Sequence, residues 1–315
     1  MTFNNKDQIK QQLGTNLPGH VGFEIEERNL ILRYDDIAVT KNMQTDDSSF
    51  EGWAFALKAR LPHLIDTVTI SWKEPSNSRD LHYQRFLYRI KKFVENYSWA
   101  RIEGGHDSDF SILENSKLVM NYPKSCSKAD AANLEHKVER KLISLLKNED
   151  PTAITVNHQL PMGIFNEKVS KITEITPRGG SQIDLWKLSN DAITVYELKV
   201  AKNMHVGIIS ELMFYANVIN DLRLGKIKYP SEIENGDASI LRDSGTLNSY
   251  IKEKGNNMKV KGVLLTEGLH TLLRDTHSSN ICSLSPGIQS LLNNNKAGIS
   301  YSAEPVQVII SIKLE

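Results

Sequence analysis

Two carboxylates and a lysine in the second half of the chain have the types and spacing for metal-assisted chemistry. Asp184 interrupts the apolar run around Ile183 and Leu185, and Glu197 and Lys199 stand two residues apart in a second strand-like run. Side chains alternate along a strand, so Glu197 and Lys199 face one side of a sheet, where a hairpin would bring Asp184 beside them. Such a cluster is costly to desolvate unless a bound cation offsets its charge.

Phosphodiester hydrolysis is the chemistry that this set of side chains suits. The reaction needs a cation that neutralises the charge developing on the phosphorus centre, and a group that readies a water for attack. Carboxylate oxygens are the ligands that Mg²⁺ prefers, and Mn²⁺ accepts the same ligands. The three residues therefore predict a site for Mg²⁺ or Mn²⁺ with an amine beside it.

The same residues resemble the PD-(D/E)XK nuclease superfamily, whose pattern is an acid on one core strand and acid-x-Lys on the next. Here the pattern reads Asp184, twelve intervening residues, then Glu197, Leu198 and Lys199, with Ile183 where the name-giving proline would stand. The resemblance implies that Asp184, Glu197 and the Leu198 carbonyl ligate the metal. It also implies that Lys199 orients the attacking water and favours its deprotonation.

A fourth catalytic residue is suggested by the first helix of the same region. The segment 138–146 is similar to the first helix of archaeal Holliday-junction resolvases, and the superfamily usually adds an acid from there. The resemblance implies that Glu139 assists catalysis through a bound water or a second metal, with Glu135 as the alternative. An acid between Lys137 and Arg140 is also typical of a surface charge with helical neighbours.

Three residues are candidates for contact with nucleic acid. The segment from Glu211 to Tyr215 is similar to the Gln-x-x-x-Tyr motif of RecB-like members, but glutamate replaces glutamine, which argues against a DNA contact by Glu211. Tyr215 is a candidate contact, although its helical spacing is equally typical of a core residue. Lys202 could reach a phosphate, although most lysines are simply solvated. Gln182, at the start of the strand that carries Asp184, is the third candidate.

The elements that must position these residues predict an α/β fold. Hydrophobic periodicity predicts the order helix, three strands, helix, strand, which resembles the restriction-endonuclease-like α-β-β-β-α-β core with a central mixed sheet. The predicted bounds are a helix from an Asp130 cap to Glu149, strands over 153–159, 182–188 and 192–200, a helix over 206–222 and a strand over 260–266. The stretch 225–257 is predicted to be an insertion or mobile loop, and 306–314 a final strand.

A smaller α+β domain is predicted to precede this core. Alternation and amphipathicity predict strands over 22–26, 29–34 and 67–72 and helices over 50–61 and 81–97. The polar, punctuated stretch 104–130 separates the two, so the predicted domains are 1–122 and 127–315. The role assigned to the first is recognition of a substrate, a partner protein or a second copy of the chain.

Composition excludes several classes of protein. Lys plus Arg equals Asp plus Glu at 38 each, so any contact with nucleic acid must use a local patch. Cys126 and Cys282 lie far apart without ligand partners nearby, which argues against a disulfide framework and against a zinc site. His270 and His277 lack a third ligand, which argues against a zinc site there as well. No apolar run is long enough to cross a bilayer or to form a signal peptide, so a cytoplasmic, non-membrane protein is expected.

Three hypotheses about function follow from these residues. The first is a metal-dependent nuclease, with DNA favoured over RNA, acting in restriction or phage defence by analogy only. The second is a catalytically silent nuclease-like scaffold that binds nucleic acid or a protein. The third is that the N-terminal unit dominates, as a sensor or oligomerisation module that restrains cutting.

Overall fold

The computed structural model describes residues 6–122, 134–179, 181–199, 205–230 and 238–306. They form a four-stranded, a five-stranded and a two-stranded sheet with helices packed against them, so the predicted α/β class is confirmed. Within these ranges, no helix is long and apolar enough to cross a lipid bilayer.

The N-terminal region builds the four-stranded sheet. Its helices and strands are α1 (Lys6–Leu13), β1 (Val21–Glu26), β2 (Asn29–Tyr34), α2 (Phe50–Arg60), β3 (Thr67–Trp72), α3 (Leu81–Asn96), β4 (Ala100–Ile102) and α4 (Ser111–Asn115). The strand order is β1-β2-β3-β4, with β1 antiparallel to β2 and the other neighbours parallel. Glu27 and Arg28 join β1 to β2 with φ of 46° and 69°, as a type I′ hairpin turn requires. The strands and helices predicted for this region are confirmed to within one residue.

The rest of the chain builds the five-stranded sheet. Its elements are β5 (Leu118–Met120), α5 (Leu134–Glu149), β6 (Thr155–Pro161), β7 (Ile164–Asn166), β8 (Gln182–Leu188), β9 (Ala192–Lys199), α6 (Ile208–Arg223), α7 (Ala238–Lys254), β10 (Lys259–Thr266), α8 (Pro286–Asn293) and β11 (Ser300–Pro305). The strand order is β11-β10-β9-β8-β6, and β5 pairs separately with β7. The sheet is mixed, because β9, β10 and β11 are parallel whereas β8 is antiparallel to both β6 and β9.

Two helices cover the two faces of this sheet. Helix α5 packs on the face that carries Leu185, Tyr196 and Leu198. Helix α6 packs on the opposite face, which carries Val195 and, by alternation along β9, Glu197. The carboxylate predicted to bind metal therefore points towards α6, not α5.

The stretch 225–257 contains a helix, so its prediction as a mobile loop is wrong, whereas its prediction as an insertion stays a prediction. Helix α7 occupies 238–254, and Leu247, Tyr250 and Ile251 form a short apolar stripe on it. Polar residues outnumber the apolar ones around this stripe, which hides the helical period from a search for hydrophobic repeats.

The structure adds a strand that was not predicted near the end of the chain. Strand β11 lies at 300–305, parallel to β10, whereas the strand predicted over 306–314 falls on residues of which only Val306 is described, outside any strand. Helix α8 precedes β11, and the Ser285 side chain caps it by accepting a hydrogen bond from the Ile288 N–H. The predicted Asp130 cap lies outside the described residues.

The N-terminal and C-terminal regions share one hydrophobic cluster. Phe50 and Phe93 of the first region and Val195 and Phe214 of the second belong to it. The ring of Tyr88 meets that of Phe214 edge-to-face, with ring centroids 5.7 Å apart. The predicted boundary between 122 and 127 stays a prediction, but the described residues on its two sides pack into a common core.

Candidate active site

Strands β8 and β9 bring together the three residues predicted to carry the chemistry. The antiparallel register pairs Leu185 with Tyr196, which places Asp184 across from Glu197 at the next step. Asp184 Oδ2 accepts a hydrogen bond from the Leu198 N–H at 2.7 Å. The Lys199 ammonium donates to Glu197 Oε1. Asp184, Glu197 and Lys199 therefore form one cluster on the α6 face, with the Leu198 backbone beside Asp184.

Helix α6 adds a third acid, Glu211, which the sequence analysis did not place in the site. Glu211 is 2% exposed, and its Oε2 lies 3.1 Å from Lys199 Nζ. Lys199 thus contacts two carboxylates, Glu197 from its own strand and Glu211 from the covering helix. The signal available in the sequence was an acid among the apolar residues of this helix, because an acid on the buried side of a helix needs a cationic partner.

Two neutral donors fix the other oxygen of Glu211. Gln44 Nε2 donates to Glu211 Oε1 at 2.6 Å, and the Tyr215 hydroxyl donates to the same oxygen at 2.9 Å. Tyr215 is 1% exposed. The burial of Tyr215 agrees with the alternative interpretation as a core residue, and its hydroxyl holds Glu211. The predicted contact between Tyr215 and nucleic acid stays a prediction.

The cluster holds more negative than positive charge. With every group ionised, Asp184, Glu197 and Glu211 carry three negative charges against the single positive charge of Lys199. Burial, followed by the carboxylates of Asp184 and Glu211, raises the pKa of Glu197 well above its ordinary value. Burial acts to lower the pKa of Lys199, but Glu197, Glu211 and Asp184 outweigh it and raise that pKa. The lysine therefore stays protonated, and Glu197 resists ionisation.

Glu211 behaves in the opposite way to Glu197. Burial acts to raise its pKa, but the Lys199 ammonium and the hydrogen bonds that Glu211 shares with Glu197 and Gln44 lower it. Glu197, by contrast, is 1% exposed, and its buried Oε2 accepts from no N–H or hydroxyl donor of the described residues, so its hydrogen bond to Glu211 requires a proton on Glu197 itself. A buried carboxyl oxygen in this position calls for either a proton or a cation.

The donor atoms of the site suit a hard divalent cation. Asp184, Glu197 and the Leu198 carbonyl would supply oxygen ligands only, and the unpartnered Glu197 Oε2 is an available one. Among the residues that the structure describes, no group of three or more His, Cys, Asp or Glu side chains is arranged to hold a metal. The predicted ligand set has two acidic side chains and one carbonyl, so it can exist without such a group.

Glu139 belongs to the helix on the other face of the sheet. Glu139 is 3% exposed, and its Oε2 lies 3.3 Å from Nδ1 of His158 on β6. The alternative interpretation of Glu139 as a surface charge is therefore wrong, because the side chain is buried. Helix α5 packs on the face of the sheet opposite to the one that carries Glu197 and Lys199. The predicted catalytic role of Glu139 stays a prediction.

The two remaining candidates for nucleic-acid contact have different outcomes. Gln182 is exposed at the start of β8, two residues before Asp184 and hence on the same side of the strand. Its predicted contact with nucleic acid stays a prediction. Lys202 and Glu135 lie outside the described side chains.

The chain was compared with known proteins in three ways. No family model matches its sequence, no curated protein is similar to it, and no solved structure matches its fold. The case for a function therefore rests on the residues of the site and the elements that hold them.

Proposed function

We propose that the protein is a metal-dependent phosphodiesterase that cuts nucleic acid, with DNA as the favoured substrate. The observation that carries the proposal is Glu197, a buried carboxyl with an unpartnered oxygen beside Asp184 and Lys199. With Glu197 protonated, the cluster keeps a surplus of one negative charge, and a divalent cation that displaces this proton would neutralise the surplus of two that results. Without one, a buried group of three acids and one lysine is a costly arrangement to retain.

The fold supports the same proposal. With β7, which pairs outside the five-stranded sheet, and α7 set aside, the order α5, β6, β8, β9, α6, β10 is the one that the restriction-endonuclease-like core, implied by the sequence resemblance, would have. Strands β8 and β9 supply the acid and the acid-x-Lys set, as that core requires. Fold alone does not define function, so the weight remains on the chemistry of the cluster.

The residues of the site divide the reaction between them. Asp184, Glu197 and the Leu198 carbonyl would hold the cation, which when bound stabilises charge on the phosphoryl oxygens and acidifies a water. Lys199 stays protonated, so it cannot take a proton from water but can orient the water and stabilise the hydroxide that forms. Glu211 holds the ammonium from the helix side.

Cleavage assays with matched variants test the proposal. Plasmid and single-stranded DNA are incubated with Mg²⁺ or Mn²⁺ and wild-type protein, Asp184→Asn or Lys199→Met. We expect each substitution to slow cleavage by about 100-fold or more, the usual cost of losing one group that stabilises the transition state. Asp191→Asn is the control, because Asp191 is an exposed acid in the β8–β9 turn, paired with Lys259. Equal cleavage by wild type and Asp184→Asn would refute the proposal.

Calorimetry with Mn²⁺ separates metal binding from chemistry. Wild type and Lys199→Met are expected to bind Mn²⁺, whereas Asp184→Asn and Glu197→Gln are expected to lose binding. The second candidate function is a catalytically silent scaffold that binds nucleic acid or a protein. Its support is that Lys199 already forms ion pairs with Glu197 and Glu211, which would keep its ammonium from a substrate. Binding of DNA without Mn²⁺ binding and without cleavage would support the scaffold.

A further inference from the structure

Glu211 connects the cluster to the N-terminal region of the chain. Its Oε2 faces Lys199, and its Oε1 accepts from Tyr215 on its own helix and from Gln44, which is 167 residues away in sequence. Gln44 thus links residues 6–122 to the acidic cluster by a side-chain hydrogen bond. It is half-buried and reaches Glu211 across the boundary between the two regions.

The loop that carries Gln44 is fastened to the start of α6. Asp46 accepts from the Val206 N–H at 3.1 Å, and its other oxygen lies 3.0 Å from His205 Nδ1. A Cβ on Gly207 would lie 2.3 Å from the Gln44 carbonyl oxygen, so only glycine allows this approach. The loop and the first turn of α6 therefore hold Gln44 and Glu211 in register.

The chemistry of Gln44 suits a positioning role. An amide donor adds a hydrogen bond to Glu211 without changing the charge of the cluster, whereas a lysine or arginine there would compete with Lys199 for the same carboxylate. A hydrogen bond to an ionised group is stronger than one between neutral groups. Gln44 and Tyr215 together fix one oxygen of Glu211 and leave the other for Lys199.

We infer that Gln44 is a positioning residue of the active site, acting through Glu211 on Lys199. This inference rests on the proposed function for its catalytic consequence. The N-terminal region is then part of the cutting site rather than a separate recognition unit. Gln44 acts on Lys199 only through Glu211, which is not one of the predicted metal ligands, so its removal should lower kcat more than it changes KM.

A double-mutant cycle tests the inference in the full chain. Gln44→Met keeps the length of the side chain but removes its donor, and it is compared with Glu211→Gln and with the double variant. We expect Gln44→Met to lower kcat about tenfold with KM within about twofold of wild type, and to add little in the Glu211→Gln background. Gln12→Met on the exposed side of α1 is the control. Additive losses would show a merely structural role and overturn the inference.

A second measurement does not depend on nuclease activity. The rate at which an amine-specific reagent modifies Lys199 is followed by mass spectrometry, with the exposed Lys259 as internal reference. We expect Gln44→Met and Glu211→Gln each to increase modification of Lys199 several-fold, with no further increase in the double variant. Gln44→Ser replaces Gln44→Met where the latter does not fold.

The two measurements distinguish failure of the inference from failure of the proposed function. Unchanged modification of Lys199 in a folded Gln44 variant overturns the inference, whatever the protein cuts. The Gln44 and Glu211 variants can show the expected coupled increase in Lys199 modification while the wild-type protein neither binds Mn²⁺ nor cleaves DNA. That result supports the positioning role of Gln44 and refutes the proposed nuclease function.

Discussion

Two glutamates of the cluster illustrate how surroundings decide the charge of a residue. Glu211 accepts hydrogen bonds from Gln44 and Tyr215 and faces Lys199, and its pKa is lowered against the effect of burial. Glu197 has a buried oxygen without a donor, and burial together with Asp184 and Glu211 raises its pKa. Neighbouring acids with opposite shifts are typical of functional sites.

This contrast predicts unequal costs for the same substitution. Glu197→Gln replaces a carboxyl that already resists ionisation, so we expect the unfolding free energy of the metal-free protein to stay within about 1 kcal/mol of wild type. Glu211→Gln places an amide among donors that need an acceptor, so we expect a loss of about 1–3 kcal/mol. Urea denaturation at neutral pH measures both. A larger loss for Glu197→Gln than for Glu211→Gln would contradict the assigned charges.

His270 predicts a dependence of stability on pH. Its Nδ1 accepts a hydrogen bond from the Leu272 N–H at 3.1 Å, which requires a neutral ring, and burial lowers its pKa from the ordinary 6.5, against the charge of Asp46. Just below pH 6.5 the unfolded chain therefore binds more protons at this residue than the folded chain. Stability should fall as the pH drops through that value.

His270→Asn tests this dependence because asparagine retains an acceptor for the backbone N–H but does not titrate. We expect the variant to lose less unfolding free energy than wild type between about pH 7 and pH 5. His63→Asn, at an exposed histidine, should follow the wild-type curve. Urea denaturation at several pH values gives the comparison, and identical slopes for wild type and His270→Asn would rule out the assignment.

At the scale of elements, two glycines allow α2 and the Gln44 loop to meet the start of α6. A Cβ on Gly207 would lie 2.3 Å from the Gln44 carbonyl oxygen, and one on Gly52 would lie 2.4 Å from the Val206 carbonyl oxygen. Neither glycine has a positive φ in the structure, so the requirement is space rather than backbone conformation. Both contacts join the N-terminal region to the helix that carries Glu211.

Gly207→Ala should therefore damage both stability and the site. The added methyl group must push backbone away, and we expect a loss of about 1–3 kcal/mol in unfolding free energy together with a fall in kcat. Gly19→Ala is the control, since nothing lies within 4 Å of its added Cβ. Thermal and urea denaturation of both variants measure the effect. Equal stability of Gly207→Ala and wild type would mean that the loop and α6 do not approach so closely.

The sequence predicted those features that depend on residue types within a few positions of one another. The β1–β2 hairpin and the alternation that places Glu197 and Lys199 on one face of β9 are of this kind. Helix α7 was missed because its apolar stripe is short and set among polar residues. Glu211 was left out of the site because its contact with Lys199 depends on how α6 packs on the sheet, and its contact with Gln44 spans 167 residues, a separation at which no local pattern operates.

At the scale of the whole molecule, buried polar contacts tie the two regions together. Arg89 and Glu51 form an ion pair in which both side chains are 2% exposed, and Ser210 on α6 donates to Glu51 Oε2 at 2.7 Å. The Tyr88 hydroxyl donates to Asp221 Oδ2 at 2.9 Å. Such groups are stable only when all partners are in place, so loosening either region leaves buried charge in the other unsatisfied.

Hydrogen exchange can show whether the regions unfold as one unit. Arg89→Met removes one member of the buried pair and strands the Glu51 carboxylate, which costs about 3–5 kcal/mol in comparable pairs. Arg89 and Glu51 both belong to the N-terminal region. If the two regions unfolded independently, Arg89→Met would therefore lower hydrogen-exchange protection in β3 alone. We expect equal losses in β3 and β9, because Glu51 also holds Ser210 and the two regions share one core.

The matched control for this experiment is Lys73→Met, which breaks the exposed pair of Lys73 with Asp36. An exposed pair contributes about 1 kcal/mol or less, so protection of β3 and β9 should hardly change. If Arg89→Met lowers the protection of β3 and leaves that of β9 at the wild-type level, the two regions unfold separately. The site on β9 would then form without the N-terminal region that carries Gln44. Equal losses mean that no part of the site is formed unless the N-terminal region is folded against it.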